Sequence, residues 1–319
     1  VMAAQSPDLI TFGESMALCM APDYKGLDQA ASLELTFGGA ESNLAIGAAR
    51  LGVSSGWFGA LGDDPFGLKI LKAIRGEGVD VSRARLVPGE QTGVMFRDNP
   101  GGKLSVYYYR KLSAASRMKP SDLDADYIRG SKILHVTGIT CAISESARDT
   151  VREAVRIAKE AGVKVSFDPN LRLKLWTIEE AREVLLPIAE QADYFLPGYD
   201  ELQLLYDTTD EEAIFARLSE LSAVSVVKGV GETTVIVEGG KRTAVPFYKA
   251  EKVVDTVGAG DGFCAGLLAG LLKGRPIVEA VRIASICGSL VVQGRGDWEA
   301  TPDWNTVERL MEDRKRIER

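Results

Sequence analysis

The segment Asp255-Thr256-Val257-Gly258-Ala259-Gly260-Asp261-Gly262-Phe263 sets one carboxylate among residues with almost no side chain. It lies between a short β-like run, 251–254, and an apolar run, 264–272, that reads as a helix. A small-residue loop at a helix start offers backbone N–H groups to an anion, and the helix dipole adds partial positive charge there. A carboxylate beside such a site does not serve anion binding. It does serve proton removal from a hydroxyl attacking a bound phosphoryl group. Asp261 also suits a helix cap, and the glycines suit tight turns, so for this string alone both readings stand. The segment is neither Gly-x-x-x-x-Gly-Lys-Ser/Thr nor Gly-x-Gly-x-x-Gly.

Four other groups carry possible chemistry. In Gly38-Gly39-Ala40-Glu41-Ser42-Asn43 two glycines allow close approach to the backbone, and Asn43 offers a donor and an acceptor. A turn with a cap is the plainer reading. Phe167-Asp168-Pro169-Asn170-Leu171-Arg172 ends a strand-like run, and Arg172 can grip a carboxylate or phosphate bidentately. An Asp168–Arg172 ion pair is the structural alternative. In Tyr107-Tyr108-Tyr109-Arg110, strand alternation puts Tyr108 and Arg110 on one face and Tyr107 and Tyr109 on the other. A phenol and a guanidinium on one face suit a sugar acid, although tyrosines on strands usually pack. Val226-Val227-Lys228-Gly229-Val230-Gly231-Glu232 ends in a glycine-rich turn that either nears phosphates or only reverses the chain.

The elements that must position these groups alternate. Runs 9–12, 54–61, 133–136, 164–168, 194–196, 224–228 and 234–238 read as strands. Runs 42–51, 66–77, 145–161, 178–191 and 278–292 read as helices, and 307–319 as a charged, solvated helix. Alternation of this kind predicts a doubly wound, mostly parallel α/β sheet with helices on both faces, binding ligands at the carboxyl ends of its strands. Two stretches, about 13–37 and 92–112, hold β-like pieces without crossover helices. Around the turn Asn99-Pro100-Gly101-Gly102 the second reads as a hairpin. Together they predict a small β-sheet lid on a single domain spanning 1–319.

Composition narrows the classes. The net charge is -7, from 45 acidic and 38 basic residues, and no basic cluster offsets it, so a nucleic-acid surface is not expected. No run is long and apolar enough to predict a membrane span, the first residues lack a secretory pattern, and a cytoplasmic protein is expected. Cys19, Cys141, Cys264 and Cys287 are scattered in apolar surroundings and read as buried thiols. The single histidine, His135, sits in a strand-like run and reads as structural; one histidine rules out a Ser-His-Asp triad built elsewhere.

Taken together, the motifs resemble the ribokinase-like (phosphofructokinase-B) carbohydrate kinases. The resemblance rests on Gly38-Gly39-Ala40 with Asn43, Leu61-Gly62-Asp63-Asp64 with Phe66-Gly67, Lys228-Gly229, and Asp255-Thr256-x-Gly258-Ala259-Gly260-Asp261. It implies a doubly wound sandwich with a β lid, Asp261 as catalytic base, and the N–H groups of Gly258, Ala259 and Gly260 as the anion hole. Within the family the chain looks most like 2-keto-3-deoxygluconate kinases, through Tyr107-Tyr108-Tyr109-Arg110-Lys111 with Ser113-Ala114-Ala115-Ser116, and Asp168-Pro169-Asn170-Leu171-Arg172 with Trp176. The second of these motifs also resembles fructokinases.

The resemblance implies ATP and magnesium as cofactors and a monovalent cation such as K+ near Asp255. It puts the sugar acid against Gly38, Gly39, Asn43, Tyr108, Arg110, Arg172 and Asp261. It puts the nucleotide against Asn170, Arg172, Lys228, Gly229, Gly231, Gly258, Gly260, Ser285 and Gly288. Two positions depart from the family pattern: Met95 stands where some members carry a substrate tyrosine, and Gly198 stands for the asparagine of an Asn-x-x-Glu magnesium element, of which Glu201 remains for an indirect role. Fructokinase, 5-keto-2-deoxygluconokinase and a non-catalytic sugar-binding regulator are the rival expectations. Pairing of exposed lids implies a homo-oligomer.

Overall fold

The computed structural model describes residues 6–22, 25–100 and 104–317. An eight-stranded sheet runs in the order β14-β13-β12-β11-β10-β9-β1-β4. Its parallel part is β4 (Ser55–Phe58), β1 (Leu9–Phe12), β9 (Ile133–Thr137), β10 (Lys164–Asp168), β11 (Tyr194–Phe195) and β12 (Val224–Val230). β13 (Thr233–Glu238) and β14 (Lys241–Pro246) extend it antiparallel. Strand order reverses between β1 and β9, which opens a crevice at their carboxyl ends.

The strands are apolar on both faces because both are covered. Ile10, Phe12, Leu134, Val136, Val165 and Phe167 pack into one helix layer, with α5 (Glu145–Glu160) and α6 (Ile178–Gln191). Their neighbours Leu9, Ile133 and Val226 pack into the other, with α1 (Ala40–Arg50), α9 (Ala259–Leu272) and α10 (Ile277–Val291). α9 is apolar all round because it is buried all round. Its glycines at four-residue spacing face α10: a Cβ on Gly266 would sit 2.9 Å from the Ala284 Cα, and one on Gly270 3.0 Å from the Ala280 Cα. The two helices therefore lie close, and the start of α9 is rigidly seated.

A second sheet of four strands has the order β3-β2-β7-β8, from β3 (Glu34–Gly38), β2 (Met16–Met20), β7 (Val94–Asp98) and β8 (Ser105–Tyr109). Met16, Leu18, Met20 and Met95 make its buried face. β7 and β8 form the expected hairpin; Gly101 and Gly102 of its turn lie outside the described residues.

Two sequence expectations fail locally. The run 54–61 is not one strand. β4 ends at Phe58, and β5 (Ala60–Gly62) pairs instead with β6 (Arg85–Val87) in a separate sheet. Gly59 makes the break: a Cβ there would lie 2.5 Å from the Gly13 carbonyl oxygen, so the chain is deflected where it crosses the end of β1. The run 251–254 forms no strand either. The N–H groups of Val254 and Asp255 both donate to the Val292 carbonyl, at 2.7 and 3.2 Å, which ties this segment to the end of α10 rather than to a sheet.

Candidate active site

Two helix starts meet at the crevice. Gly258 caps α9 in the left-handed conformation, φ 81°, and a Cβ there would lie 1.9 Å from the Asp297 carbonyl oxygen, so only glycine fits. The first-turn N–H groups of α9 have no partner inside the helix and face the crevice with the positive dipole end. Asp261 sits within this first turn, and its Oδ2 accepts from Asn43 Nδ2 at 2.8 Å. Asn43 is itself held at the start of α1, where its Oδ1 accepts from the Gly39 N–H at 3.4 Å. Burial pushes the Asp261 carboxyl up to about 7; the Asn43 hydrogen bond and Arg172 oppose this, and the charges of Asp168 and Asp297 reinforce it. A carboxylate poised near 7 is a well-matched general base at neutral pH.

Gly38 and Gly39 prove to be glycine for an internal reason. A Cβ on Gly38 would meet the Asp297 carboxylate at 2.1 Å, and one on Gly39 the Glu14 carbonyl oxygen at 2.3 Å. The Asp297 side chain against Gly38 and the Glu14 backbone against Gly39 demand them before any ligand does.

Beside the crevice the small sheet has the facing that its strand alternation predicts, although the burial of β8 does not alternate. Met95 and Tyr108 pair across β7 and β8 on the inward face, where Tyr108 is still 39% exposed, and Tyr107 and Tyr109 on the other face are more exposed. The Arg110 guanidinium lies 5.6 Å from the Tyr108 ring centre. It is not free, however. Its Nε donates to Glu14 Oε2 at 2.7 Å, and Glu14 Oε1 accepts from Ser113 Oγ at 2.6 Å. Glu14 follows β1 directly, and the sequence reading missed it; a carboxylate just past the carboxyl end of a central strand was the available signal. Arg172 is exposed, with Nη1 donating to its neighbour's carbonyl, Leu171 O, at 3.0 Å.

The Asp168–Arg172 ion pair considered from the sequence does not form. Asp168 Oδ2 pairs instead with Lys228 Nζ from β12, at 3.2 Å. The chain turns between them through Asn170, whose φ of 39° sends Arg172 away from Asp168. Burial works against the Lys228 charge, but the Asp168 carboxylate outweighs it and holds the lysine pKa above its ordinary value. Glu201 lies beside this pair. Its two carboxylate oxygens accept from the Leu171 and Gly198 N–H groups, each at 2.7 Å, and burial raises its pKa. Glu201 thereby pins the 168–172 turn.

A cavity of about 600 Å³ opens between Lys228, Phe247, Tyr248, Gly260, Ser285 and Gly288. Ser285 Oγ accepts from the Tyr248 N–H at 2.6 Å, so part of its hydrogen-bonding capacity is used in shaping the wall. Gly229 and Gly231 take left-handed φ values of 79° and 58° in the turn after Lys228 and do not line this cavity. His135 is buried, its Nδ1 shares a hydrogen bond with Ser166 Oγ at 3.0 Å, and desolvation lowers its pKa to about 4, which fits a structural residue. All four cysteines are free thiols; Cys141, Cys264 and Cys287 are buried as expected, but Cys19, on the outer face of β2, is half-buried.

The arrangement is a helix start with unpaired first-turn N–H groups and a buried carboxyl near 7, flanked by a polar face on one side and an apolar slot with a lysine on the other. Residues 6–304 match the model of the pfkB family carbohydrate kinases. The chain belongs to that family and is a carbohydrate kinase. It is 37% identical over 299 residues to the 2-dehydro-3-deoxygluconokinase of Bacillus subtilis, covering 92% of each chain. It is 34% identical to the probable chloroplastic fructokinase-6 of Arabidopsis thaliana, covering 96% of this chain and 83% of that one. Among solved structures, a putative ribokinase II from E. coli in complex with ATP and magnesium superposes with a TM-score of 0.89 at 27% identity, covering 96% of the kinase and 99% of that chain.

Proposed function

We propose that the kinase transfers the γ-phosphoryl group of ATP to the primary hydroxyl of 2-keto-3-deoxygluconate, giving the 6-phosphate. The observation that carries the reading is Asp261, a carboxyl near 7 at the helix start, with Arg172 close enough to act on its charge. The base meets the sugar hydroxyl on one side and the phosphoryl group on the other. Asp261 accepts the hydroxyl proton as the oxygen attacks, and the N–H groups of Gly258, Ala259 and Gly260 hold charge developing on the transferred group. Arg172 holds the sugar carboxylate, and Tyr108 with Arg110 closes over the sugar from the small sheet. Gly38, Gly39 and Asn43 form the floor under it. Lys228, Gly260, Ser285 and Gly288 line the slot proposed for the nucleotide, whereas Asn170, Gly229 and Gly231 are not among its lining residues. The small sheet acts as the lid, excluding water that would compete as nucleophile.

Magnesium, when bound with the nucleotide, neutralises phosphoryl oxygens. Among the described residues no group of three His, Cys, Asp or Glu side chains is placed to cage a metal ion. Both Glu201 oxygens already accept backbone N–H groups. The ion would be held mainly through phosphate oxygens and water, with Glu201 and Asp168 acting indirectly through that water.

The reading is tested by the product. Incubation with ATP and 2-keto-3-deoxygluconate should release ADP and give a phosphate ester on the primary carbon, seen by phosphorus–proton correlation NMR. ADP release without such an ester, or no ADP release, contradicts it. Fructose is the rival acceptor, favoured by one observation: Glu14 already neutralises Arg110, which leaves Arg172 as the sugar-side cation for a carboxylate.

The pH dependence follows from Asp261. Its raised pKa means that the proton is still on below about 7, where the base cannot work. kcat/KM is expected to fall toward about tenfold per pH unit below that midpoint and to level off above it. A flat profile between pH 5.5 and 8.5 would sink the base assignment.

The kinase is also proposed to pair through its small sheet. Leu35, Cys19, Phe96 and Tyr107 form one row across the outer face, with Leu35 40% and Tyr107 51% exposed. Light scattering should show a homo-oligomer that Tyr107→Glu weakens; a wild-type monomer at micromolar concentration contradicts this. A cytoplasmic location is proposed with it; no helix among the described residues is long and apolar enough to cross a membrane.

A further inference from the structure

The monovalent cation that the family resemblance implies beside Asp255 meets a site already occupied by a side chain. Arg97, on the inward face of β7, donates from Nη1 to Asp255 Oδ2 at 2.7 Å and from Nη2 to Asp297 Oδ1. The three side chains are 6%, 10% and 6% exposed. The other Asp255 oxygen, Oδ1, accepts from the Val257 N–H at 3.0 Å. Both Asp255 oxygens are thus engaged by the protein itself. Buried carboxylates require a cation or a proton. Here the guanidinium fork answers two of them at once, a geometry that a point charge such as K+ would have to displace.

The three residues join the parts of the site that must keep register. Asp255 shapes the approach to the anion loop through Val257. The Asp297 carbonyl packs under Gly258, the cap of that loop, while its carboxylate packs against Gly38 at the sugar-side helix start. Arg97 comes from the small sheet, and β7 is flanked there by β2 and β8. One guanidinium therefore couples the sheet over the sugar to the loop that binds the phosphoryl group. Sequence alone hides this, since the partners are 158 and 200 residues away.

We propose that Arg97 is the resident cation of this site: it holds the anion loop in its working shape in place of a free monovalent ion and locks it to the small sheet, so phosphoryl transfer does not depend on K+. Arg97 is a positioning residue in this account, without contact to the reacting atoms. The proposal rests on the kinase activity and not on which sugar is used, so the assay takes whichever sugar gives the fastest ADP release.

With K+, Na+ or tetramethylammonium as the only monovalent cation, at equal ionic strength, the wild-type enzyme should show the same kcat. Its nucleotide affinity by calorimetry should likewise be the same in all three salts. Stimulation or tighter nucleotide binding specific to K+ overturns the proposal, whatever the variants do. Arg97→Met leaves both carboxylates unanswered; it should lose about tenfold or more in kcat through misplacement of the loop. Millimolar guanidinium, or K+, should restore part of that loss, which a merely structural role would not predict. Arg97→Lys keeps the charge but not the fork and should lose less. Full activity of Arg97→Met in tetramethylammonium overturns the proposal as well.

Discussion

Asp261→Asn is expected to bind ATP with near-normal affinity and to lose about 10²–10⁴ in kcat, the usual contribution of a positioned general base. The amide keeps the volume of the carboxylate and can still accept from Asn43 Nδ2, so the helix starts of α1 and α9 stay joined. What goes is the ability to take a proton. The substitution also removes a negative charge that burial and the neighbouring Asp168 and Asp297 charges already disfavour. Thermal stability should therefore hold or rise, which separates loss of chemistry from loss of fold. Isothermal titration with ATP and a coupled ADP assay on the same preparation check both halves. A variant with near-normal kcat would show that Asp261, which is not the cap of α9, serves only to join the two helix starts through Asn43.

Arg172→Ala is expected to separate the acid from the neutral sugar. A hydrogen bond to a charged group contributes about 1.5–3 kcal/mol, so kcat/KM for 2-keto-3-deoxygluconate should fall by about 10–150-fold. The same change should leave kcat/KM for fructose nearly untouched. The side chain is exposed and donates only to a neighbouring carbonyl within the protein, so its removal disturbs little packing. Arg110 is the control. Its charge is matched by Glu14, and truncating it breaks an ion pair in which both side chains are at most 10% exposed, so stability should fall along with activity. Equal losses on both sugars for Arg172→Ala would mean that the arginine serves the nucleotide or the fold rather than the sugar carboxylate.

Much of this site was legible because its parts are local. The short apolar runs at β1, β9 and β10 and the helical runs near them read directly, since strands covered by helices on both faces must be apolar on both. The small-residue approach to α9 read as an anion loop for the same local reason. What stayed hidden depends on distance. Gly59 breaks a strand-like run only because the Gly13 carbonyl lies against it. Asp168 looks paired with Arg172 four residues on, yet its partner Lys228 arrives from another strand 60 residues later. Gly38 and Gly39 look shaped for a ligand, but Asp297 and Glu14 pack against them first. Arg97 sits in a strand with no motif around it, and only the folded chain brings Asp255 and Asp297 to its guanidinium. In the proposed reading the reaction chemistry lies in one short segment, while the sugar-side contacts come from three elements far apart in the chain.

That division makes the acceptor the decisive question. The direct measurement is kcat/KM of the wild-type enzyme for 2-keto-3-deoxygluconate, fructose and 5-keto-2-deoxygluconate, by ADP release under identical conditions. 2-Keto-3-deoxygluconate is expected to exceed fructose by at least about tenfold, the discrimination that one charged hydrogen bond supplies; 5-keto-2-deoxygluconate carries the same carboxylate and tests the position of the ketone instead. Fructose turned over as well as the keto acid, or better, would contradict it.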